Sequence, residues 1–328
     1  ACDFRRTAMT KSIIVRHEIA EWTDDYLLKL SPMFPEIIFH AAYSVKDAMA
    51  LAAEANVFMG IGVHVPPALI GAMPKLEWVQ TLTTGVDNFI NMAELPDYVP
   101  VTNIKGVQGP QVSETALMLM MSLARRLPDM FEAQKIATWD RQVQTALYGK
   151  TLCILGLGDI SETLALYAKT LGMTVLGVSD GRTNALNVDH IYPRNGLITA
   201  AAKADFLVVL VPLTDKTRHI INAEVLSAMK PTGFFLNLAR GGCVDETALI
   251  KALRTGTIAG AGLDVFEHEP LTHADPMWSA PNVILTPHIA GFADIFAKQC
   301  LPTVIKNLKT YVKEGASGLI SAIPNRLG

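Results

Sequence analysis

Short apolar runs alternate with helix-compatible stretches over the first third of this chain. Between Lys11 and Lys105 the apolar runs are SIIV, EIIF, NVFMGIG and LEWVQTL, and stretches such as VKDAMALAAEA and PPALIGAM separate them. This alternation is the β/α rhythm of a parallel sheet, in which helical crossovers connect the strands. The pattern therefore predicts a complete small α/β unit.

A long apolar segment follows Gly109 and Pro110. The sequence VSETALMLMMSLARRL is long and contains no helix-breaking residue, so it predicts one mostly buried helix. We expect its methionines to fill gaps in the core rather than to face a cofactor.

A second β/α series opens at TLCILGLGDI. It continues through MTVLGVSD, DFLVVLVPL, GFFLNLAR, IAGAGLDVF and NVILTPHI. Short apolar strands that are bounded by turn or polar residues and separated by helical stretches predict a doubly wound nucleotide-binding sheet. The last segment, FADIFAKQCLPTVIKNLKTYVKEG, predicts a helix with a kink at Pro302 that leaves this second domain and returns to the first.

Composition and charge agree with two buried sheets and a small-molecule partner. The chain has 328 residues, more than one hydrophobic core usually holds, and 50% of them are apolar. Its formal net charge is −3 at pH 7, and we find no long basic or acidic run. This pattern argues against nucleic acid or a membrane surface as the partner.

Cysteine usage and the start of the chain predict a cytoplasmic protein. Four cysteines form no CxxC pair, and two of them lie in or beside apolar runs: Cys2, Cys153, Cys243 and Cys300. We therefore expect buried thiols rather than disulfides, and no metal site. No apolar stretch is long enough to span a membrane, and the first residues lack the apolar region of a signal peptide. Because strand-like sequence begins only at Ser12, residues 1–8 are expected to lie outside the fold.

A glycine-rich turn follows the strand-like run TLCIL. Gly156 permits a tight turn, and Gly158 lets the backbone approach a pyrophosphate, which then lies at the start of the helix that contains Asp159 and Ile160. Ser161 occupies the place of the third glycine in GxGxxG, where a small residue allows the helix to pack closely on the strand. A plain glycine turn is the alternative. In its strand, turn and helix context the motif predicts dinucleotide binding.

The choice between NAD and NADP depends on the residues after TVLGV. An acid there binds the ribose 2′-hydroxyl and repels a 2′-phosphate, whereas an arginine accommodates that phosphate. Ser179 occupies the commonest position of the acid, Asp180 follows it, and Arg182 lies close by. Because Asp180 is nearer the end of the strand than Arg182 is, we expect NAD, with NADP possible.

Three charged residues follow successive apolar runs in the last third of the chain. They are Arg240 in FFLNLARGG, Glu269 in AGLDVFEHEP and His288 in NVILTPHIAG. Because ligands of parallel sheets bind beyond the carboxyl ends of the strands, we expect the three to converge on one site. An arginine, a carboxylate and a histidine suit a carboxylate substrate and a proton transfer. Taken singly, each is also compatible with an ordinary loop role, and spacing alone does not exclude Glu267, His268 or His273.

The order of five motifs resembles the D-isomer-specific 2-hydroxyacid dehydrogenase family. The motifs are GLGDI, VPLT, NLARGG, GLDVFEHEP and TPHIAG, and the match runs from about Ile13 to the last helix. The resemblance implies an α/β fold of two Rossmann-like, doubly wound parallel-sheet domains with a cleft between them. Residues 9–105 and 293–328 would form the substrate-binding domain, and residues 106–292 an inserted dinucleotide-binding domain.

The same resemblance implies an NAD(P)-dependent enzyme that interconverts a small 2-keto acid and its D-2-hydroxy acid, in the range of glyoxylate and hydroxypyruvate reductases. His288 matches the proton donor, and Glu269 the acid that keeps this histidine protonated. Arg240 matches the residue that grips the substrate carboxylate and polarises the carbonyl. By the same analogy, the long helix after Gly109 implies a homodimer.

Further positions follow from the resemblance alone. For the substrate, it implies main-chain contacts in the loop of Thr84, Gly85 and Val86, and a substrate-facing position at Gln108; the loop is otherwise an ordinary turn. Asp264 matches the residue that holds the nicotinamide carboxamide. The remaining positions expected against the cofactor are Val211, Pro212, Ala239 and His288. We also consider two residues that either shape the substrate pocket or are structural, His64 and Trp139.

Two other functions are compatible with this fold. One is an NAD(H)-sensing, corepressor-like binding protein that retains the charged trio, since a fold alone does not settle function. The other is a formate-dehydrogenase-like enzyme, which carries glutamine where this chain has Glu269. The glutamate disfavours that second alternative.

Overall fold

The computed structural model describes residues 11–90 and 92–323. Residues 1–8, expected to lie outside the fold, and Cys2 fall outside the described residues. The chain forms two compact units. Unit 1 comprises the chain up to Val107 and from Asp294 onward, and unit 2 comprises Gln108–Ala293.

Unit 1 contains a five-stranded sheet in which all strand pairs are parallel. The strands are β1 (Lys11–Arg16), β2 (Ile37–Ala41), β3 (Val57–Gly60), β4 (Trp78–Thr81) and β5 (Val101–Thr102), in the spatial order β2-β1-β3-β4-β5. Ile13, Ile14 and Val15 are all fully buried, so β1 is covered on both faces. This burial explains why the strand is continuously apolar rather than alternating.

Four helices connect the strands of unit 1. They are α1 (Ala20–Leu30), α2 (Val45–Leu51), α3 (Pro67–Gly71) and α4 (Asp87–Ile90). The Ser44 side chain accepts a hydrogen bond from the Asp47 amide and so caps α2. Pro66 precedes α3 and Pro67 begins it, a position where the missing N–H of proline costs nothing.

Unit 2 contains a seven-stranded sheet, again with parallel pairs throughout. Its strands are β6 (Thr151–Leu155), β7 (Thr174–Val178), β8 (His190–Tyr192), β9 (Phe206–Val209), β10 (Phe234–Asn237), β11 (Gly260–Leu263) and β12 (Val283–Leu285). The order β12-β11-β10-β9-β6-β7-β8 reverses direction between β6 and β9. Such a switch point, at the carboxyl ends of the strands, is where a doubly wound sheet binds its ligand.

Six helices belong to unit 2, and one predicted helix is interrupted. They are α5 (Gly109–Ala124), α6 (Leu127–Lys135), α7 (Asp159–Thr170), α8 (Leu197–Lys203), α9 (Ala223–Ala228) and α10 (Glu246–Arg254). The segment predicted as one helix ends at Ala124, and Arg126 takes a left-handed φ of 54°. Pro128 supplies the physical reason, because its ring would clash with the carbonyl four residues earlier in a continuous helix.

The prediction that the methionines of α5 fill the core is wrong for two of the three. Met120 is fully buried, but Met118 and Met121 are 48% and 40% exposed. These two side chains therefore lie on the surface rather than in the core.

The last long helix, α11 (Phe296–Glu314), packs in unit 1 and contains Pro302. Asn307 donates a hydrogen bond to the Gln80 side chain at 2.8 Å, and the Tyr311 hydroxyl donates to Glu77 at 2.7 Å. These bonds join α11 to β4 and to the residue that precedes it.

Three cysteines of the described chain, Cys153, Cys243 and Cys300, are buried and form no disulfide, as predicted. Burial raises the pKa of the Cys153 thiol to about 12, so this thiol is an inert core group. Among residues 11–90 and 92–323, no helix is both long and apolar enough to cross a membrane.

Candidate active site

The turn between β6 and α7 has the geometry of a phosphate-binding loop. Gly156 has a φ of +98°, and a Cβ on it would lie 2.8 Å from a Val211 side-chain carbon, so only glycine fits. A Cβ on Gly158 would meet nothing within 4 Å. The helix α7 then begins at Asp159, and no described side chain caps it, so its first amides can bind an anion.

Ser161, in the place of the third glycine, stabilises this turn. Its side chain is almost completely buried, and the hydroxyl donates a hydrogen bond to the Gly156 carbonyl at 2.5 Å. The serine therefore fits between helix and strand, and it ties the first turn of α7 to the loop. The residues of this site fit a bound dinucleotide pyrophosphate.

The segment after β9 packs on the glycine turn, and the loop after β10 follows the strand that pairs with β9. Val211 is 5% exposed and packs on Gly156, and the carbonyl of the exposed Pro212 accepts a hydrogen bond from the Thr217 hydroxyl at 2.7 Å. Ala239, 8% exposed, donates its amide hydrogen to the Asn237 side chain. These positions lie on the loops expected to meet the cofactor, and their contacts with it stay predictions.

At the end of β7, the predicted ribose residues are engaged with other side chains. Asp180 accepts a hydrogen bond from the Arg194 amide at 3.0 Å and forms an ion pair with its guanidinium at 3.0 Å. Arg182 donates to Glu162 of α7 at 2.5 Å. Ser179 is the first residue after β7 and is partly buried. Sequence reasoning missed Arg194, which lies beyond the short strand β8.

His288 and Glu269 form a direct hydrogen bond. The distance between His288 Nδ1 and Glu269 Oε2 is 2.7 Å, and each side chain is about one-third exposed. The other carboxylate oxygen, Oε1, accepts a hydrogen bond from the Phe266 amide at 2.9 Å. Because Nδ1 faces a carboxylate, we assign the hydrogen to that nitrogen. Nε2 is then the ring atom that can exchange a proton with a ligand.

The environment of Glu269 favours its charged form. Partial burial alone would raise the pKa of this carboxyl, but the hydrogen bonds from His288 and from the Phe266 amide lower it, and the charges of His288 and Arg240 add to that effect. The pKa of Glu269 therefore lies below its ordinary value. A charged Glu269 stabilises a protonated partner imidazole.

A buried carboxylate holds the turn that carries His288. This residue has a left-handed φ of 55°, which costs about 1–2 kcal/mol for a residue with a Cβ. Its amide donates to the Asp264 carbonyl at 2.7 Å, and the Asp264 carboxylate accepts from the Ile289 and Ala290 amides at 2.9 and 2.8 Å. The Thr286 hydroxyl donates to the same carboxylate at 2.5 Å. Asp264 thus fixes the His288 turn, and its contact with the nicotinamide carboxamide stays a prediction.

Arg240 lies on the neighbouring loop, after β10. It is partly buried, and its guanidinium donates a hydrogen bond to the Ala239 carbonyl at 2.6 Å. The next residue, Gly241, packs directly on the backbone before Glu269, because a Cβ there would lie 1.8 Å from the Phe266 carbonyl carbon. Unit 2 therefore brings the loops of Arg240, Glu269 and His288 together.

The structure shows which of the candidate residues between 267 and 273 is bonded to His288, a choice that spacing in the sequence could not make. Glu267 forms an ion pair with His219 at 3.0 Å, whereas Glu269 bonds to His288. His268 and His273 are exposed. Within the described residues, neither bonds to Glu269.

The expected substrate loop lies in unit 1, directly after β4. The Thr83 hydroxyl donates to the Gly85 carbonyl at 3.1 Å, and the Asn103 side chain donates to the Thr84 carbonyl at 2.5 Å. Across residues 11–90 and 92–323, the amides of Gly85 and Val86 donate to no protein group. Two such donors on a braced loop suit an anionic ligand.

Three further candidates have different surroundings. The Gln108 side chain packs on Gly291, where a Cβ would lie 2.4 Å from the amide nitrogen of the glutamine, so Gln108 lies beside the His288 turn. His64, in unit 1, forms an ion pair with Glu18. Trp139 is 90% exposed.

Comparison with known proteins relates this geometry to a family. Residues 117–290 match the family described as D-isomer specific 2-hydroxyacid dehydrogenase, NAD binding domain. The chain is 34% identical over 277 residues to glyoxylate/hydroxypyruvate reductase B of Shigella boydii serotype 4 (strain Sb227), which covers 82% of this chain and 85% of that protein.

Solved structures show the same relationship. A D-isomer specific 2-hydroxyacid dehydrogenase family protein from Aeromonas salmonicida subsp. salmonicida A449 is similar with a TM-score of 0.85 and 31% identity, over 96% of this chain and 98% of that chain. The NADPH-dependent glyoxylate/hydroxypyruvate reductase of Sinorhizobium meliloti, in complex with NADP and malonate, has a TM-score of 0.76 and 31% identity, over 93% and 95% of the two chains. The protein is therefore an NAD(P)-dependent oxidoreductase that belongs to the D-isomer specific 2-hydroxyacid dehydrogenase family.

Proposed function

We propose that the protein reduces glyoxylate, hydroxypyruvate or a similarly small 2-oxo acid to the corresponding 2-hydroxy acid, as the D isomer where carbon 2 is a stereocentre, and that Arg240, Glu269 and His288 carry out this reaction. The observation that supports the proposal most is the 2.7 Å hydrogen bond between His288 and Glu269, beside the loop of Arg240. The named relatives from Shigella boydii and Sinorhizobium meliloti act on glyoxylate and hydroxypyruvate.

Each residue of the trio has one role in the reduction. When bound, the nicotinamide supplies the hydride that adds to carbon 2 of the substrate. The ketone oxygen takes a proton from His288 Nε2, and the imidazole later regains a proton from solvent. Glu269 stabilises the imidazolium through Nδ1. Arg240 binds the substrate carboxylate and polarises the ketone. In the oxidation, His288 accepts the hydroxyl proton instead.

The loop of unit 1 contributes main-chain donors to substrate binding in this proposal. The amides of Gly85 and Val86 donate to the substrate carboxylate, and Thr84 belongs to the same loop. Gln108 is assigned to the substrate side because its amide group lies beside the His288 turn. We accordingly assign residues 9–105 and 293–328 to a substrate-binding domain and residues 106–292 to the dinucleotide-binding domain.

For the dinucleotide, we assign the pyrophosphate to the turn of Gly156 and Gly158 and to the first amides of α7, at Asp159 and Ile160. Val211, Pro212, Ala239 and Asp264 are assigned to the nicotinamide half. The open space at Gly158, where a Cβ would meet nothing within 4 Å, supports the first assignment.

We further propose that NADPH is preferred over NADH, which revises the expectation of NAD drawn from the position of Asp180 in the sequence. Asp180 forms an ion pair with Arg194, and Arg182, which is paired with Glu162, adds a second guanidinium to the segment after β7. Two guanidiniums suit a 2′-phosphate. Arg194→Ala is expected to weaken NADPH binding about tenfold or more while NADH binding changes little, since a hydrogen bond to a charged group is worth about 1.5–3 kcal/mol. Calorimetric titration of each dinucleotide measures this difference, and an equal loss for both would refute it.

A homodimer is proposed through the apolar surface of unit 2 formed by Met118, Leu127, Phe131 and Leu285. Phe131 is 53% exposed, and a contiguous exposed apolar surface of this kind suits a protein partner. Light scattering during gel filtration should give twice the mass of one chain, and Phe131→Asp should shift the protein toward the monomer. A wild-type monomer at all concentrations would refute the dimer.

A cytoplasmic location is proposed because Cys153, Cys243 and Cys300 are buried thiols outside any disulfide, and reduced cysteines are typical of that compartment. Fractionation of cells that express the untagged protein tests it. Recovery outside the cytoplasmic fraction would contradict it.

A substrate panel tests the function as a whole. Purified protein is mixed with NADPH or NADH and with glyoxylate, hydroxypyruvate, pyruvate or phenylpyruvate, and the absorbance of the reduced nicotinamide is followed. We expect oxidation of the dinucleotide with glyoxylate and with hydroxypyruvate. Measurable dinucleotide binding without oxidation by any member of the panel would refute the proposed reaction and favour a dinucleotide-sensing protein.

A further inference from the structure

A second histidine and glutamate pair, His219 and Glu267, lies next to the loops of Arg240 and Glu269. His219 Nε2 and Glu267 Oε1 are 3.0 Å apart, with the two side chains 43% and 31% exposed. The backbone of His219 has a left-handed φ of 49°. Its amide donates to the Gly242 carbonyl at 2.9 Å. His219 therefore links the loop after β9 to the loop of Arg240 and to the loop of Glu269.

Glu267 is held from a second direction as well. Its amide donates a hydrogen bond to the Glu246 carboxylate, at the start of α10, at 2.8 Å. One residue earlier, the Phe266 backbone packs against Gly241 so closely that no Cβ fits between them. The segment Phe266–Glu269 is thus fixed by contacts with α10 and with the loops after β9 and β10.

The position of this segment determines how Glu269 meets His288. Glu269 Oε1 accepts from the Phe266 amide at 2.9 Å while Oε2 bonds to His288 at 2.7 Å. Both oxygens are occupied, so the carboxylate has one orientation in which both bonds form. Because Glu267 follows Phe266 directly, a shift of the Glu267 backbone would also shift the Phe266 amide and weaken its bond to Glu269 Oε1.

We propose that His219 and Glu267 are positioning residues whose ion pair holds the segment Phe266–Glu269 so that the Glu269 carboxylate stays bonded to His288. Neither residue belongs to the trio of Arg240, Glu269 and His288 to which the reaction is assigned. The consequence for catalysis rests on the proposed function of the trio, whereas the consequence for the Glu269 carboxylate does not.

Three substitutions separate this role from a general effect on folding. His219→Ala removes the ion pair between His219 and Glu267. Glu267→Asp keeps the negative charge but moves it away from the His219 ring. His219→Gln keeps a hydrogen-bond donor at about the position of His219 Nε2. Lys230→Ala is the control, because it removes another ion pair of unit 2, the one with Asp205 at 2.9 Å, and these two residues lie before the amino ends of β10 and β9.

The first readout needs no activity. With ¹³C at the glutamate carboxyl carbon, and Glu269→Gln to assign the resonance, the pH midpoint of Glu269 is followed by NMR. His219→Ala and Glu267→Asp should raise this midpoint by about one pH unit, since the loss of one hydrogen bond to a charged group is worth about 1.4 kcal/mol or more. His219→Gln and Lys230→Ala should leave the midpoint unchanged.

The second readout is the kinetics of keto-acid reduction. Here kcat should fall about tenfold in His219→Ala and Glu267→Asp, because 1.36 kcal/mol of transition-state stabilisation is a factor of ten. The KM for NADPH should be unchanged, and His219→Gln should restore kcat to within about threefold. If the His219→Ala protein does not fold, the Glu269 midpoint and the kcat of Glu267→Asp test the proposal instead.

An unchanged Glu269 midpoint in a folded His219→Ala or Glu267→Asp variant would overturn this inference. So would an equal shift in Lys230→Ala. If the wild-type protein reduces no keto acid but the midpoint still moves as expected, the proposed function fails while the positioning role stands.

Discussion

His288 Nδ1 lies 2.7 Å from Glu269 Oε2 although the two residues are 19 positions apart in the sequence. The adjacent parallel strands β11 and β12 explain this proximity, because each residue lies on the loop that follows one of them. Asp264 completes the arrangement by accepting hydrogen bonds from the amides after His288. The orientation of the imidazole is therefore set by contacts within unit 2.

The depressed pKa of Glu269 predicts how stability depends on pH. In the unfolded chain this carboxyl has its ordinary, higher pKa, so the folded state binds the proton less tightly. The stabilisation is fully present above the unfolded pKa and is lost as pH falls through the folded pKa. Urea unfolding at a series of pH values should show wild type more stable than Glu269→Gln at neutral pH, with a difference that disappears in acid. A difference that stays constant down to acid would contradict the lowered pKa.

His17 predicts a second, independent sensitivity to acid. Burial, with the positive charges of Arg16 and His64, lowers the pKa of His17 from 6.5 to about 4. Its Nδ1 accepts a hydrogen bond from the Ile19 amide at 3.0 Å. The folded protein keeps the His17 ring neutral, and this contribution to the free energy of unfolding is fully present above the unfolded pKa of 6.5. It is lost as the pH falls from 6.5 through the folded pKa of about 4.

His17→Asn keeps an acceptor for that amide but does not titrate. Relative to this variant, the free energy of unfolding of the wild type should fall by up to about 3 kcal/mol as the pH is lowered from 6.5 to about 4. Each pH unit contributes at most about 1.36 kcal/mol. Chemical denaturation of both proteins between pH 7 and pH 4 measures the loss. Parallel stability curves would show that His17 is not kept neutral by the fold.

Gly158→Ala separates dinucleotide binding from folding. A Cβ at this position meets no protein atom within 4 Å, and the extended backbone, with a φ of −134°, accepts any residue. The variant should therefore unfold at the wild-type temperature, yet bind NADPH about tenfold or more weakly, because the added methyl group occupies the space of the pyrophosphate.

Gly241→Ala is the matched comparison for that prediction. Its Cβ would lie 1.8 Å from the Phe266 carbonyl carbon, so this variant should be destabilised by about 1–3 kcal/mol or more. Thermal unfolding and calorimetric NADPH titration of both variants give the two results. A Gly158→Ala variant with wild-type affinity would place the pyrophosphate elsewhere.

The strand pattern and the order of the motifs correctly predicted the α/β fold with two parallel sheets and the family. Strands such as β1 and β6 are buried on both faces, so their apolar character is visible in the sequence itself. The edge strand β8 was missed. It has only three residues, His190–Tyr192, which are exposed or partly buried, and it exists because it pairs with β7.

The sequence predicted which residues form the candidate site but not which of their side chains bond to each other. Glu267 and Glu269 are two positions apart, and only the folded loop shows that one bonds to His219 and the other to His288. Arg194 pairs with Asp180 across 14 positions of chain, a contact that depends on β8. Such partners are set by tertiary structure, which local spacing does not report.

The most direct test of the assigned chemistry is His288→Gln, with kcat for glyoxylate or hydroxypyruvate reduction and the Kd for NADPH measured on the same preparation. Removal of a general acid should lower kcat by about 10²–10⁴-fold. The Kd for NADPH should change by no more than about twofold, since the phosphate-binding turn at Gly156 is untouched. Wild-type turnover by the His288→Gln protein would contradict the assignment of His288 as the proton donor.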